Sequence, residues 1–265
     1  MGEAIVVTSG KGGVGKTTTS ANVGSALALL GKKVCMVDTD IGLRNLDVVM
    51  GLENRIIYNI LDVAKERCRL NQALVRDKRF NELYMLPAAQ TADKNSIEPE
   101  EVKRIVDELK ADFDYVIIDC PAGIEQGFRN AIAGADHAIV VTTPELTSTR
   151  DADRVIGLLE QANIKSPKLI INRIRPNMVK KGEMLEVDEI CSILAIDLLG
   201  IVPDDEHVIK AANSGEPTVM SDTSRASIAY RNIARRILGD SVPLSPLDQT
   251  KPGMFSKMKK LLGIG

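Results

Sequence analysis

The chain has no Trp, only 3% aromatic residues, two His and four Cys among its 265 residues. So few rings leave few platforms on which bases could stack. A net charge of −2 supplies no overall positive field to draw the molecule onto nucleic acid. The cysteines Cys35, Cys68, Cys120 and Cys191 form no Cys-x-x-Cys pair, which removes the signature of a zinc or iron–sulfur site. They suit a reduced, cytosolic protein, with Cys35 and Cys120 acting as small hydrophobes inside apolar runs. His137, beside a strand, and His207, in an expected loop, have no nucleophile motif to serve, so a Ser-His-Asp triad has nothing behind it. No apolar run approaches the ~20 residues that span a bilayer. A strand starting near Ala4 leaves no room for a signal peptide, and Val6 stands where a myristoylation motif wants Ser or Thr. Any membrane contact is therefore expected to be peripheral.

What is present fits one large α/β domain: 44% hydrophobic and 26% charged residues can bury a full core. Short β-branched runs occur at Ile5–Thr8, Val34–Val37, Leu83–Leu86, Tyr115–Ile118, Ala138–Thr142, Lys168–Ile171 and Leu198–Val202, most of them apolar throughout, as strands covered on both faces are. Helical patterns separate them. Thr17–Leu30 is closed by Gly31, Pro99 opens another helix through Lys110, and Tyr230, Ile233, Ala234, Ile237 and Leu238 form a late stripe. The alternation predicts a doubly wound, mainly parallel sheet with helices on both faces. Residues 1–240 are assigned to this domain, 241–253 to a Pro-rich tether and 254–265 to a terminal amphipathic segment.

Between the first strand and first helix, Gly10-Lys11-Gly12-Gly13-Val14-Gly15-Lys16-Thr17 fits G-x-x-x-x-G-K-[ST]. Glycines let backbone N–H groups converge on phosphate oxygens, the helix start adds its positive end, Lys16 suits the β- and γ-phosphates, and the Thr17 hydroxyl suits Mg²⁺. Lys11 is an extra cation that its own loop does not need. It is either a solvated surface lysine or a group that reaches the nucleotide of a facing subunit, as an arginine finger does. Asp38, Asp40 and Asp119 follow apolar strands, which puts them at the carboxyl edge of the sheet, where α/β folds bind ligands.

In the tail, Met254, Phe255, Met258, Leu261 and Leu262 recur at helical spacing. Lys257 and Lys259 flank that stripe and Lys260 stands nearly opposite it, an arrangement suited to an anionic membrane surface. An isolated helix below ~12–15 residues is marginal in water, so one tail binds weakly, whereas two on one dimer gain avidity of roughly 10²–10⁴. A helix docked on its own domain is the plainer alternative.

The pair Lys11 and Lys16 in a motif completed by Thr18 resembles the deviant Walker A signature of the ParA/MinD ATPase superfamily. Asp38-Thr39-Asp40 resembles its switch I and Asp119-Cys120-Pro121-Ala122-Gly123 its switch II. Ile41-Gly42-Leu43-Arg44-Asn45-Leu46-Asp47, together with Asn172-Arg173 and Gly182-Glu183-Met184-Leu185, is similar to the MinD branch, and the likeness covers essentially the whole chain. The resemblance implies an ATPase that dimerises on ATP, with Lys11 and Lys16 catalytic and Asp40 orienting the attacking water. It implies Mg²⁺ supported by Thr17, Asp38, Asp40 and Asp119. It also implies a γ-phosphate contact at Gly123 and base contacts at Asn172, Pro203 and Asp205. A partner surface at Ser148, Arg150, Asp151 and Asp153 follows from the same likeness, though a capped helix start would look alike. Implied partners are a MinC-like division inhibitor, a MinE-like or other topological factor, and the cytoplasmic face of the cell membrane. A ParA-type DNA-segregation ATPase would share the nucleotide site but would want a basic surface, and the clustered basic residues here are few.

Overall fold

The structure, a computed structural model, describes residues 1–244. The tail residues from Met254 to Leu262 lie outside the described residues. In chain order the elements are β1 (Glu3–Thr8), α1 (Lys16–Leu29), β2 (Val34–Asp38), α2 (Leu46–Val49), α3 (Ile60–Ala64), α4 (Leu70–Ala73), β3 (Val75–Arg76), β4 (Leu83–Leu86) and α5 (Pro99–Asp112). There follow β5 (Tyr115–Asp119), α6 (Gln126–Ile132), β6 (His137–Thr142), α7 (Leu146–Gln161), β7 (Lys168–Ile174), α8 (Pro176–Lys180), α9 (Val187–Leu194), β8 (Asp197–Pro203), α10 (Glu206–Asn213) and α11 (Arg225–Ile237).

The strands form one sheet in the order β3-β4-β2-β5-β1-β6-β7-β8, parallel except for β3, which runs against β4. Period-two alternation sends Ala4 and Val6 to one face and Ile5 and Val7 to the other, so both faces of β1 are apolar and both are covered. Side chains of α5, α6, α7 and α9 pack with the first set, and those of α1, α2 and α11 with the second. β1 lies between β5 and β6, the point where the strand order reverses, and a crevice forms at the carboxyl ends there.

α1 has no apolar stripe because it is buried nearly all round, and it is built from small residues to suit. A Cβ added at Gly24 would come within 2.8 Å of Met36 on β2, so this glycine sets how closely helix and sheet approach. On the outer side α11 closes over α1, where the buried Tyr230 hydroxyl lies 3.3 Å from that of Thr19. Arg236 donates to the carbonyls of Leu199, Val242 and Pro243, so the first residues expected to be tether are held against β8. His207 lies inside α10 instead of a loop, and that helix buries none of its residues, which is why no stripe marks it in the sequence.

Candidate functional site

β1 delivers the glycine-rich loop at the centre of the sheet. Gly13 and Gly15 have φ of 79° and 99°, values an L side chain resists, and Gly15 is the residue from which α1 departs. Gly10 is fixed for another reason: its Cβ would lie 2.1 Å from the carbonyl oxygen of Asp151, so the loop abuts the backbone of α7. The two lysines of the loop are placed oppositely. Lys16 is buried and its Nζ donates to Ser9 Oγ at 2.8 Å. Burial lowers its pKa, opposed by the nearby acidic groups Cys120, Asp119 and Asp40. Lys11 is half-exposed and lies outside the cradle, its Nζ 3.5 Å from both Glu145 Oε2 and Thr147 Oγ1 at the start of α7.

The acidic residues converge as their strand positions require. Asp38 and Asp119 are register partners at the ends of β2 and β5, and both are buried. Asp119 accepts from the hydroxyls of Ser20, at 2.8 Å, and Thr17. Asp38 accepts from the backbone N–H groups of Asp40 at 2.9 Å and Leu46 at 3.2 Å. Burial raises the pKa of Asp119 to about 6, against the pull of those hydroxyls and of Lys16. The pKa of Asp38 is also raised well above the ordinary carboxylate value, by burial first and then by Asp119 itself. Among the described residues no three His, Cys, Asp or Glu side chains are grouped closely enough to hold a metal ion by themselves. Buried hard oxygens beside a hydroxyl nevertheless fit Mg²⁺, which keeps much of its water and touches carboxylates through it. In the segment after Asp119, Gly123 has φ of 96° and open space around its Cβ position.

On the other side of the loop, Gly15, Thr18, Asn172, Pro203, Asp205 and Ile209 are among the residues lining a cavity of about 250 Å³. It joins the expected base contacts in one place, but two of them already have work. The Asn172 amide donates to Val14 of the loop at 2.8 Å, and its oxygen accepts the N–H of Arg173 at 2.9 Å. The carboxylate of Asp205 caps α10 through the His207 N–H and ties it to α11 through Ser224 Oγ at 2.8 Å and the Ala226 N–H at 3.2 Å. Burial would raise the Asp205 pKa, but these hydrogen bonds outweigh it and hold the group well below the ordinary carboxylate range. Asp205 thus shapes the pocket wall with its side chain.

The expected partner surface divides. α7 begins at Leu146, two residues before the expected start, which turns Ser148 inward. Ser148 is buried and accepts from Thr143 Oγ1 at 2.9 Å, while Arg150 and Asp153 are exposed and Asp151 is half-buried against the loop. Sequence reasoning missed Ser9, Ser20 and Glu145. Ser20, one turn beyond Lys16 on α1, had a usable helical spacing; Glu145 had none.

An AAA domain family model matches residues 2–171. Over 266 aligned residues the chain is 66% identical to the septum site-determining protein MinD of Bacillus subtilis strain 168, covering 100% of this chain and 99% of that protein. Its fold superposes on the MinC:MinD cell division protein complex of Aquifex aeolicus with a TM-score of 0.85 at 49% identity, covering 92% of this chain and 98% of that one. A MinD from Pyrococcus horikoshii OT3 complexed with Mg-ADP gives a TM-score of 0.82 at 27% identity, covering 91% and 100%.

Proposed function

The chain belongs to the MinD family of septum site-determining proteins, P-loop ATPases of the ParA/MinD type, and from that membership we propose that it is a dimerising ATP switch that cycles on and off a membrane. The observation that carries this reading is the opposite placement of the two loop lysines. Lys16 lies at the foot of the cradle, where its own triphosphate would meet it. Lys11 rests outside on Glu145 and Thr147, where its ammonium group serves a phosphate presented from a facing copy.

Bound Mg²⁺–ATP supplies the electrophilic γ-phosphorus and a counter-charge for its oxygens. The remaining work falls to this chain. Backbone N–H groups from Gly12 to Thr18 and the Lys16 ammonium cradle the phosphates. Thr17, Asp38 and Asp119 would together hold a Mg²⁺ ion, the hydroxyl directly and the carboxylates through its water, and the ion would neutralise charge on the phosphate oxygens. Asp40 orients the attacking water, and Gly123 offers its N–H to the γ-phosphate, so that switch II reports hydrolysis. Asn172 and Pro203 border the base. Arg150 and Asp153, with Asp151 half-buried beside them against the loop, offer α7 to a MinC-like division inhibitor and to a MinE-like or other topological factor. Each copy contributes one weak amphipathic tail from Met254 to Leu262, and pairing makes the second engagement intramolecular. The biological output is the position of the division septum, set from the cytoplasmic face of the membrane.

Liposome sedimentation with ATP and with ADP tests the cycle, using the full chain and a version ending at Gly253. Pelleting is expected only for the full chain with ATP. Equal pelleting in both nucleotides would overturn the switch, and tight duplex-DNA binding at moderate salt would favour the ParA-type role instead. Lys11→Ala should bind nucleotide but stay monomeric with ATP by light scattering; loss of binding itself would refute a role in trans.

A further inference from the structure

We propose that Arg79, outside the nucleotide site, is a positioning residue that couples the base pocket to switch I. The inference rests on the nucleotide site proposed above. Asp77, 1% exposed, accepts from the Arg79 backbone N–H at 3.0 Å, from Nε at 2.9 Å and from Nη2 at 2.6 Å. That fork fixes the guanidinium plane on the loop between β3 and β4. The donors left over reach two different helices: Nη1 donates to the carbonyl of Gly215 at 2.7 Å, and Nη2 to that of Met50. Met50 is the C-cap of α2, and Gly215 follows the C-cap of α10.

The two chain segments also touch directly. Gly51 and Gly215 have φ of 62° and 65°, and a Cβ on Gly215 would lie 2.6 Å from Gly51 Cα. A contact of backbone on backbone has no side chain to yield, so a displacement of one segment is passed to the other.

The far ends of these helices bear on the two halves of the nucleotide site. Val208 and Ile209 of α10 line the base cavity. The first N–H of α2, on Leu46, is held by Asp38, and the switch I segment leads directly into it. Occupancy of the base cavity therefore bears on α10, then on Gly215 and Met50 through Arg79, then on α2 and the carboxylate of Asp38. Lysine cannot replace the fork, because a single ammonium group cannot hold Asp77 bidentately and serve both carbonyls in one plane. The effector is the purine base, acting on switch I without a γ-phosphate.

The chain has no Trp, and Leu43, between switch I and α2, is 62% exposed, so Leu43→Trp gives a single local indole fluorophore. Emission is measured in the full chain with saturating Mg²⁺ and either ADP or pyrophosphate, which carries the same two phosphates but no base. ADP is expected to move the emission more than pyrophosphate does. That difference should shrink about three-fold or more in Arg79→Lys, with ADP still bound by calorimetry. Gly215→Ala should cause the same loss by forcing the two backbones apart, and it decides the matter if Arg79→Lys does not fold. A merely structural role would lower the unfolding midpoint and leave the difference intact. An undiminished difference in either folded variant, or a parent that responds alike to ADP and pyrophosphate, would overturn the coupling. A parent that binds no ADP at all would remove the nucleotide site, and the inference with it.

Discussion

Replacing Asp119 with Asn is expected to stabilise the nucleotide-free protein near neutral pH while abolishing hydrolysis. Asp119 is buried beside Asp38, its partner across the β2–β5 ladder. Burial lifts its pKa from 3.8 to about 6 despite help from Thr17, Ser20 and Lys16. An acid whose folded value exceeds its unfolded one binds its proton more tightly when folded. Above pH 6 both states are ionised and the folded state bears the full cost. As pH falls through 6 towards 3.8 the folded state takes up the proton first and the cost is relieved. The lift corresponds to roughly 3 kcal/mol, or about 6–12 °C in Tm for a domain of this size. Asn fits the site because Ser20 and Thr17 hydroxyls can turn from donating to accepting. Asp38→Asn is a poorer choice, since both Asp38 oxygens accept backbone N–H groups and an amide NH₂ would face a donor. Thermal unfolding of both proteins without nucleotide, from about pH 7.5 to about pH 5.5, gives the difference directly. The variant should lead at the upper pH, and its lead should narrow on acidification. A variant less stable at about pH 7.5, or a lead independent of pH, would refute the argument from burial.

Two further outcomes follow from side chains with defined geometry. Asp205→Ala removes the cap of α10 and its tie to α11, which should cost roughly 2–3 kcal/mol by urea unfolding and weaken nucleotide binding several-fold. Because the Asp205 pKa is depressed, that contribution stands above the ordinary carboxylate pKa and fades only as pH falls below it towards the folded value. Gly10→Ala and Gly12→Ala should behave differently although they are neighbours in one motif. The first forces a Cβ to 2.1 Å from Asp151 and should cost about 1–3 kcal/mol in stability. The second meets only Ala122 at 3.7 Å, so its Tm should hold while a fluorescent-nucleotide titration shows weakened binding.

The sheet was largely legible because each strand is apolar on both faces, and the seven expected runs match strands that extend them by a few residues at most. Val75–Arg76 escaped notice, since two residues carry no period. α2, α3, α4, α6, α8, α9 and α10 were also missed: each is eight residues or fewer, and α8 and α10 bury no residue. Within the site, the position of the loop and of Asp38 and Asp119 at the carboxyl edge of the sheet could be read because it depends on the strands that precede them in the chain. The resting place of Lys11 on Glu145 could not, because it joins residues far apart in sequence. Nor could the commitments of Asp205, whose carboxylate is spent on two helix starts, or the inward turn of Ser148, fixed by where α7 begins. Arg79 gave no hint of itself at all; its significance lies entirely in the carbonyls that folding brings to it.

The strand order has an evolutionary corollary. With β1 in the middle, the ends of β2 and β5 supply the aspartates on one flank, while β7 and β8 supply the pocket residues Asn172 and Pro203 on the other. On the proposed function, the residues for hydrolysis and those bordering the base would lie on opposite wings of the sheet. Mutations can retune one wing while sparing the other. The proposed coupling, from α10 to the β3–β4 hairpin, would oblige the two histories to stay in step.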